Sequence, residues 1–147
     1  MKRRMKLAIT VLAFLGMMSA AALVARGHGV KPPAQSEFGL GPRTSAKGLY
    51  VATLEPGQAL KPRKMYAIRA SVRDAAGKPV EGASIAVDGG MPQHRHGLPT
   101  RPRVTADLGA GSYEISGLRF NMGGWWELKL AITTPMGDDT VTFNLDL

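Results

Sequence analysis

Alternating apolar and polar residues dominate the chain after residue 47 and restrict its fold more than any other feature. The segments 65–74 and 125–133 carry an apolar residue at every second position. This is the period of a half-buried β-strand, and no sustained helical period follows Ala25. Glycine- and proline-containing turns divide the chain into about seven short strands. The predicted strands are 49–54, 65–74, 80–87, 104–107, 112–116, 125–133 and a last strand after a turn at 135–139. We therefore predict an all-β fold, an immunoglobulin-like β-sandwich of about seven strands.

Residues 1–25 have the pattern of a secretory signal peptide. Basic residues at positions 2, 3, 4 and 6 precede an uncharged apolar stretch, 7–25, that ends in small residues. The uncharged stretch also approaches the length of a membrane span, so a single N-terminal anchor helix through residues 7–25 is the alternative. Both alternatives place the remainder outside the cytoplasm, because the positive charges stay inside. We therefore predict a periplasmic or otherwise extracytoplasmic protein.

The remainder divides into a linker and one domain. Residues 26–46 are rich in glycine, proline and small polar residues without periodicity, which predicts a flexible linker. Residues 47–147 then form the sandwich domain. Within it, Trp125 and Trp126 fall on opposite faces of one predicted strand. We expect one of these tryptophans in the core and the other partly exposed.

Charge and composition exclude several classes of function. Setting aside the four N-terminal basic residues leaves 15 basic residues against 11 acidic ones, and they are scattered. Together with the predicted export, this balance excludes nucleic acid as a partner. The chain has no cysteine, so a thiolate metal site or a cysteine nucleophile is impossible. No hydrolase elbow, zinc-protease pair, phosphate loop or dinucleotide motif is present, and we predict that the protein is not an enzyme.

Residues 89–103, GGMPQHRHGLPTRPR, concentrate the residues that could bind a metal. Met91, His94 and His96 lie within six residues, and prolines at 92, 99 and 102 exclude a regular helix. We therefore predict a loop, with Met122 from a second loop, 117–124, as a neighbour. Imidazole and thioether ligands without cysteine favour copper(I) as the cofactor. Arginines at 95, 101 and 103 disfavour a divalent ion, because their charge repels it more strongly.

Two segments together resemble a known family. The sequences GGMPQHRHGLPTRPRV and GSYEISGLRFNMGGWWELKLAI are similar to the YtkA-like (FixH-like) group of small exported bacterial proteins, over about residues 48–147. The resemblance implies an immunoglobulin-like sandwich attached to a signal peptide or membrane anchor. It also implies an association with copper handling or haem–copper oxidase assembly. Unlike the larger FixH-type proteins, this chain has only one candidate membrane segment.

Two functions therefore remain open. The first is a non-enzymatic module that binds copper(I) through Met91, His94, His96 and Met122, in periplasmic copper handling or respiratory oxidase assembly. The second is a metal-free interaction domain that docks onto a membrane protein complex through the same loop. In this second case the His-x-His pair faces solvent and the methionines fill the core.

Overall fold

The computed structural model describes residues 29–147, which form nine strands and one short 3-10 turn at Gln35–Glu37. The strands are β1 (Arg43–Thr44), β2 (Tyr50–Glu55), β3 (Met65–Asp74), β4 (Ser84–Met91), β5 (His96–Gly97), β6 (Arg103–Gly109), β7 (Ser112–Arg119), β8 (Trp125–Thr134) and β9 (Gly137–Asp146). Seven of these have six residues or more, and β1 and β5 have two residues each. The predicted all-β class is confirmed.

The alternation in the sequence becomes alternation in burial. In β8, Leu128, Leu130 and Ile132 are almost completely buried, while Lys129 and Ala131 between them are exposed. Strands β3, β7 and β9 follow the same rule, because successive side chains of a strand point to opposite faces. The inward side chains of all these strands belong to one hydrophobic cluster. Their burial is the main stabilising contribution to the fold.

The strands form a nearly closed antiparallel sheet. Hydrogen-bonded neighbours follow the order β1-β2-β3-β7-β6-β4-β8-β9, and β5 pairs with β4. Between β6 and β4 the ladder is reduced to one pair, Ala86 with Arg103. The sheet thus divides into a group β1-β2-β3-β7-β6 and a group β5-β4-β8-β9. Because both groups bury their inward faces in one core, they pack as the two layers of a sandwich.

Residues 38–46 close the opposite side of the sandwich, between β2 and β9. The amide of Gly39 donates to the carbonyl of Asn144 at 2.8 Å, and the carbonyl of Leu40 accepts from the amide of Leu54 at 2.9 Å. Further along, the amide of Ala46 donates to the carbonyl of Thr140 at 3.0 Å. In its described part, the segment 26–46 that was predicted as a linker therefore contributes strand β1 and a seam of the sandwich. The sequence did not predict these backbone hydrogen bonds, because they require no alternation of apolar side chains and the segment is rich in glycine and proline.

The predicted turn at 135–139 is shorter in the structure, where only Pro135 and Met136 separate β8 from β9. Asp139 is consequently a buried strand residue, whose carboxylate accepts hydrogen bonds from the amides of Lys47 and Leu49. Burial raises the pKa of Asp139, but the hydrogen bonds from Ser45 and from these backbone amides outweigh it and lower the pKa from 3.8 to about 2. Asp139 thus fixes the turn between β1 and β2.

Trp125 differs from the prediction, because both tryptophans are buried. Trp126 is 0% exposed in the core, and Trp125, on the outer face of β8, is only 8% exposed. The Nε1 of Trp125 donates to the side chain of Asn144 at 2.9 Å, and Asn144 in turn donates to the carbonyl of Glu37. The segment around the 3-10 turn thus lies against this part of the outer face.

The predicted signal peptide or anchor, 1–25, lies outside the described residues. Within residues 29–147 no helix is both long and apolar enough to cross a membrane.

Candidate functional site

The segment 89–103 is a β-hairpin followed by a short connection, and not one continuous loop. Strand β4 continues through Gly89 and Gly90 to Met91, and Met91 pairs with His96 of β5. Four residues, 92–95, make the turn, and the carbonyl of Met91 accepts hydrogen bonds from the amides of His94 and Arg95. The predicted strand 80–87 is correspondingly shifted to 84–91. Its first residues are instead held by Tyr113, whose hydroxyl donates to the carbonyl of Val80 and accepts from the amide of Ala83.

The two glycines of β4 are needed because other backbone lies against them. A Cβ on Gly89 would be 2.5 Å from the carbonyl oxygen of Glu127, and a Cβ on Gly90 would be 2.7 Å from that of His96. Side chains almost never approach backbone so closely, and neither carbonyl belongs to a side chain that could rotate away. Gly89 therefore lets β4 lie close against β8, and Gly90 lets β5 lie close against β4.

The structure brings His94 and His96 together at the surface. Both side chains are exposed, their rings are stacked with an interplanar angle of 29°, and the ring centroids are 5.6 Å apart. His96 also meets the edge of Trp126, with ring centroids 6.3 Å apart, and Trp126 packs edge-on against Phe120 at 5.2 Å. A row of aromatic rings thus runs from the exposed histidines into the core.

Met91 lies below this pair, in the hydrophobic core. Its side chain is only 2% exposed, and its methyl group would be 3.1 Å from a Cβ on Gly124. Neighbouring residues of a strand point to opposite faces, so the end of β4 directs Met91 inward. Among the four residues singled out from the sequence, Met91 is therefore the one whose side chain the structure separates from solvent.

Met122 lies in the loop between β7 and β8 and is 41% exposed. Its carbonyl accepts a hydrogen bond from the Nε1 of Trp126 at 3.0 Å. The next part of this loop is fixed to the C-terminus, since Gly124 and Leu147 exchange two backbone hydrogen bonds. Because Trp126 touches both Met122 and His96, the two loops are neighbours through this one side chain.

A cleft of about 330 Å³ lies beside the hairpin, on the side of β8. Its lining includes Asp88, Arg95, His96, Glu127 and Lys129. The carboxylate of Glu127 is paired with the ammonium group of Lys129 at 2.9 Å, so it is already neutralised. Sequence reasoning missed Trp126 and Glu127 as neighbours of the histidines, since only the pairing of β4 with β8 places them there.

Residues 29–147 contain no group of three or more histidine, cysteine, aspartate or glutamate side chains placed to hold a metal ion. Any metal at the hairpin would thus depend on the two imidazoles, with thioether or solvent as further ligands. The arrangement contains neutral ligands and a nearby guanidinium group, that of Arg95. It is suited to a soft monovalent ion and unsuited to calcium or magnesium, which require several oxygen ligands.

Comparison with known proteins places the chain in a family. The sequence profile described as YtkA-like matches residues 44–131, which is more than half of the chain and includes the hairpin and the Met122 loop. The chain belongs to the YtkA-like family. The suspected resemblance is thereby confirmed, and membership indicates a small exported domain. No curated protein matches the chain.

Among solved structures, the YtkA-like chain is similar to one described as "ZirS C-terminal Domain", at 15% sequence identity and a TM-score of 0.40. The similarity covers 96% of this chain and 99% of that chain. A likeness this distant carries no argument about function.

Proposed function

We propose that this YtkA-like protein is an exported, non-enzymatic module that binds copper(I) at the β4–β5 hairpin. The observation that carries the proposal is the exposed pair of His94 and His96, with ring centroids 5.6 Å apart. A metal–nitrogen bond of about 2 Å places an ion roughly 3 Å from each ring centroid, so two imidazoles that share an ion have centroids up to about 6 Å apart. The observed centroid separation is therefore compatible with one shared ion once the exposed side chains rotate to turn a nitrogen of each ring towards it.

The chemistry of the surroundings favours copper(I) over other ions. Met122 is exposed in the adjacent loop and can supply a thioether, which soft copper(I) prefers. Arg95 stands between the two histidines in sequence, and its positive charge opposes a divalent ion more than a monovalent one. Met91 is not a ligand in this proposal. It supports the hairpin from below, because its side chain fills the core beneath β4.

An exposed two-histidine site suits a protein that passes copper on. Few ligands and open access allow a second protein to take the ion by exchanging ligands. The proposed place of the protein is therefore periplasmic copper handling or the assembly of a respiratory oxidase.

The test is a competition titration of the purified exported protein against a chromogenic copper(I) chelator without oxygen. We expect one equivalent of copper(I), strongly weakened binding in His94→Ala/His96→Ala, and an intermediate effect in Met122→Leu. His28→Ala removes the third histidine of the chain and serves as the matched control, with wild-type binding expected. Equal affinity of the wild type and the double variant would refute the proposal.

The alternative is metal-free docking onto a membrane protein complex through the same hairpin. It is supported by the exposure of every residue from 93 to 97, which leaves most of the turn and strand β5 accessible to a partner. It predicts that Gln93→Ala and His94→Ala weaken a complex recovered from membranes, while copper in the purified protein stays at background.

A further inference from the structure

Two ion pairs are formed among residues 29–147, and neither includes the arginines at one end of the sandwich. Arg69 pairs with Glu55 at 3.8 Å, and Lys129 pairs with Glu127 at 2.9 Å. The arginines at 63, 101, 103 and 119 have no carboxylate within ion-pairing distance in this part of the chain. Four guanidinium groups without counter-charges are therefore available to an external anion.

Strand pairing gathers these arginines at one end of the outer face of β3, β7 and β6. Arg119 stands opposite Met65 in the β3–β7 ladder, and Arg103 stands opposite Ser116 in the β6–β7 ladder. Ser116 and Arg119 are separated by a β-bulge, so they are successive outward positions of β7. Arg103 and Arg119 are consequently diagonal neighbours, whose Cα atoms lie roughly 7–8 Å apart in such a sheet.

The other two arginines extend this cluster at its rim. The amide of Arg63 donates to the carbonyl of Phe120, directly after Arg119. Arg101 precedes Arg103 in the connection from the hairpin, where its carbonyl lies against Gly117. We call the surface formed by Arg63, Met65, Arg101, Arg103 and Arg119 the arginine patch.

Met65 gives the arginine patch an apolar centre. It is 55% exposed, although it begins a strand whose alternate residues are buried in the core. Methionine and arginine are both enriched in protein interfaces, so an exposed methionine among arginines matches this part of their composition.

We propose that the arginine patch is a docking surface for an acidic segment of a partner protein, recognised through carboxylate groups. Guanidinium groups bind carboxylates through two parallel hydrogen bonds, which the compact ammonium of lysine cannot do. Residues 98–103 connect the hairpin to the patch, so the two proposed sites lie on consecutive segments of the chain. The docking surface does not require copper and goes beyond the proposed metal site.

A protein partner fits this surface better than a lipid membrane. Membrane-surface binding relies on exposed aromatic and large apolar side chains that enter the interface. Both tryptophans and all three tyrosines of the chain are buried, and Met65 is the single large apolar residue within the patch. Charge complementarity with carboxylates is thus the stronger source of recognition here.

The experiment measures fluorescence anisotropy of a labelled hexaglutamate peptide with the purified exported protein at low ionic strength. Arg101→Gln/Arg103→Gln removes two exposed charges of the patch without disturbing the core. Arg73→Gln/Lys78→Gln removes two exposed charges at the opposite end of β3 and has the same net charge. We expect the first variant to bind roughly tenfold more weakly, as the loss of two ion pairs implies, and the second to bind like the wild type.

Each other outcome overturns the proposal. Equal weakening in both double variants would mean that only net charge matters. Binding to phosphatidylglycerol vesicles without binding to the peptide would assign the patch to a membrane surface, and absence of both would leave it without this role. His94→Ala/His96→Ala separates the two sites, since it should abolish copper(I) binding and leave peptide binding unchanged.

Discussion

Replacing Met91 distinguishes a core residue from a copper ligand. Its side chain is 2% exposed and belongs to the hydrophobic cluster, so Met91→Ala removes three buried heavy atoms. At about 0.8 kcal/mol for each buried group the transfer loss is about 2.4 kcal/mol. The cavity that remains increases this cost, and buried Met→Ala changes amount to about 2–5 kcal/mol. Met91→Leu nearly conserves the volume and should cost less than about 1.5 kcal/mol.

Thermal unfolding followed by circular dichroism measures both effects. For a domain of this size, a loss of about 3 kcal/mol lowers Tm by roughly 10 °C, and Met91→Leu should stay within a few degrees of the wild type. Copper(I) affinity should be unchanged in Met91→Leu, because in the structure the sulfur faces the core and Gly124. Loss of copper binding in Met91→Leu at unchanged Tm would show that the thioether is a ligand. An unchanged Tm in Met91→Ala would contradict the packing argument itself.

Two further predictions concern backbone contact and pH. Gly89→Ala should destabilise the domain by about 1–3 kcal/mol, because its Cβ would be 2.5 Å from the carbonyl oxygen of Glu127. Gly97→Ala is the control, since its Cβ would make an ordinary contact at 3.5 Å, and it should have little effect on the thermal unfolding curve. Asp139 has a pKa of about 2 in the folded protein and 3.8 as its ordinary value, so its charge stabilises the fold above about pH 4 and this contribution disappears as the pH falls towards 2. Tm should therefore decrease more steeply between pH 4 and 2 in the wild type than in Asp139→Asn, and equal slopes would contradict the role of this carboxylate.

Much of the sheet followed from local patterns. The alternation in 65–74 and 125–133 predicted β3 and β8 almost to the residue, because a half-buried strand needs apolar side chains on one face only. The sequence did not predict the strand segments that pair through backbone hydrogen bonds without an alternating side-chain pattern. Strand β1 and the extension of β4 through Gly89 and Gly90 carry no side-chain pattern, and only their neighbours show that they are strands.

The candidate site divides in the same way. The spacing of His94 and His96 placed two imidazoles in one short segment, since residues so close in sequence remain close in any conformation. Trp126 and Met122 joined them only through the pairing of β4 with β8 and the hydrogen bond from Trp126. Met91 illustrates the limit, because sequence proximity to the histidines could not indicate which face of β4 it occupies.

The amino-acid sequence by itself determined the strand content of the domain, the closeness of the two histidines along the chain, and membership of the YtkA-like family. The tertiary structure alone decided that Met91 and Trp125 are buried, that residues 38–46 close the sandwich, and that four arginines converge at one end of it. The physical reason is the separation along the chain of the residues that interact. Strand propensity and ligand spacing depend on residues adjacent in the chain, whereas burial and charge clustering depend on segments that meet only after the sheet has formed.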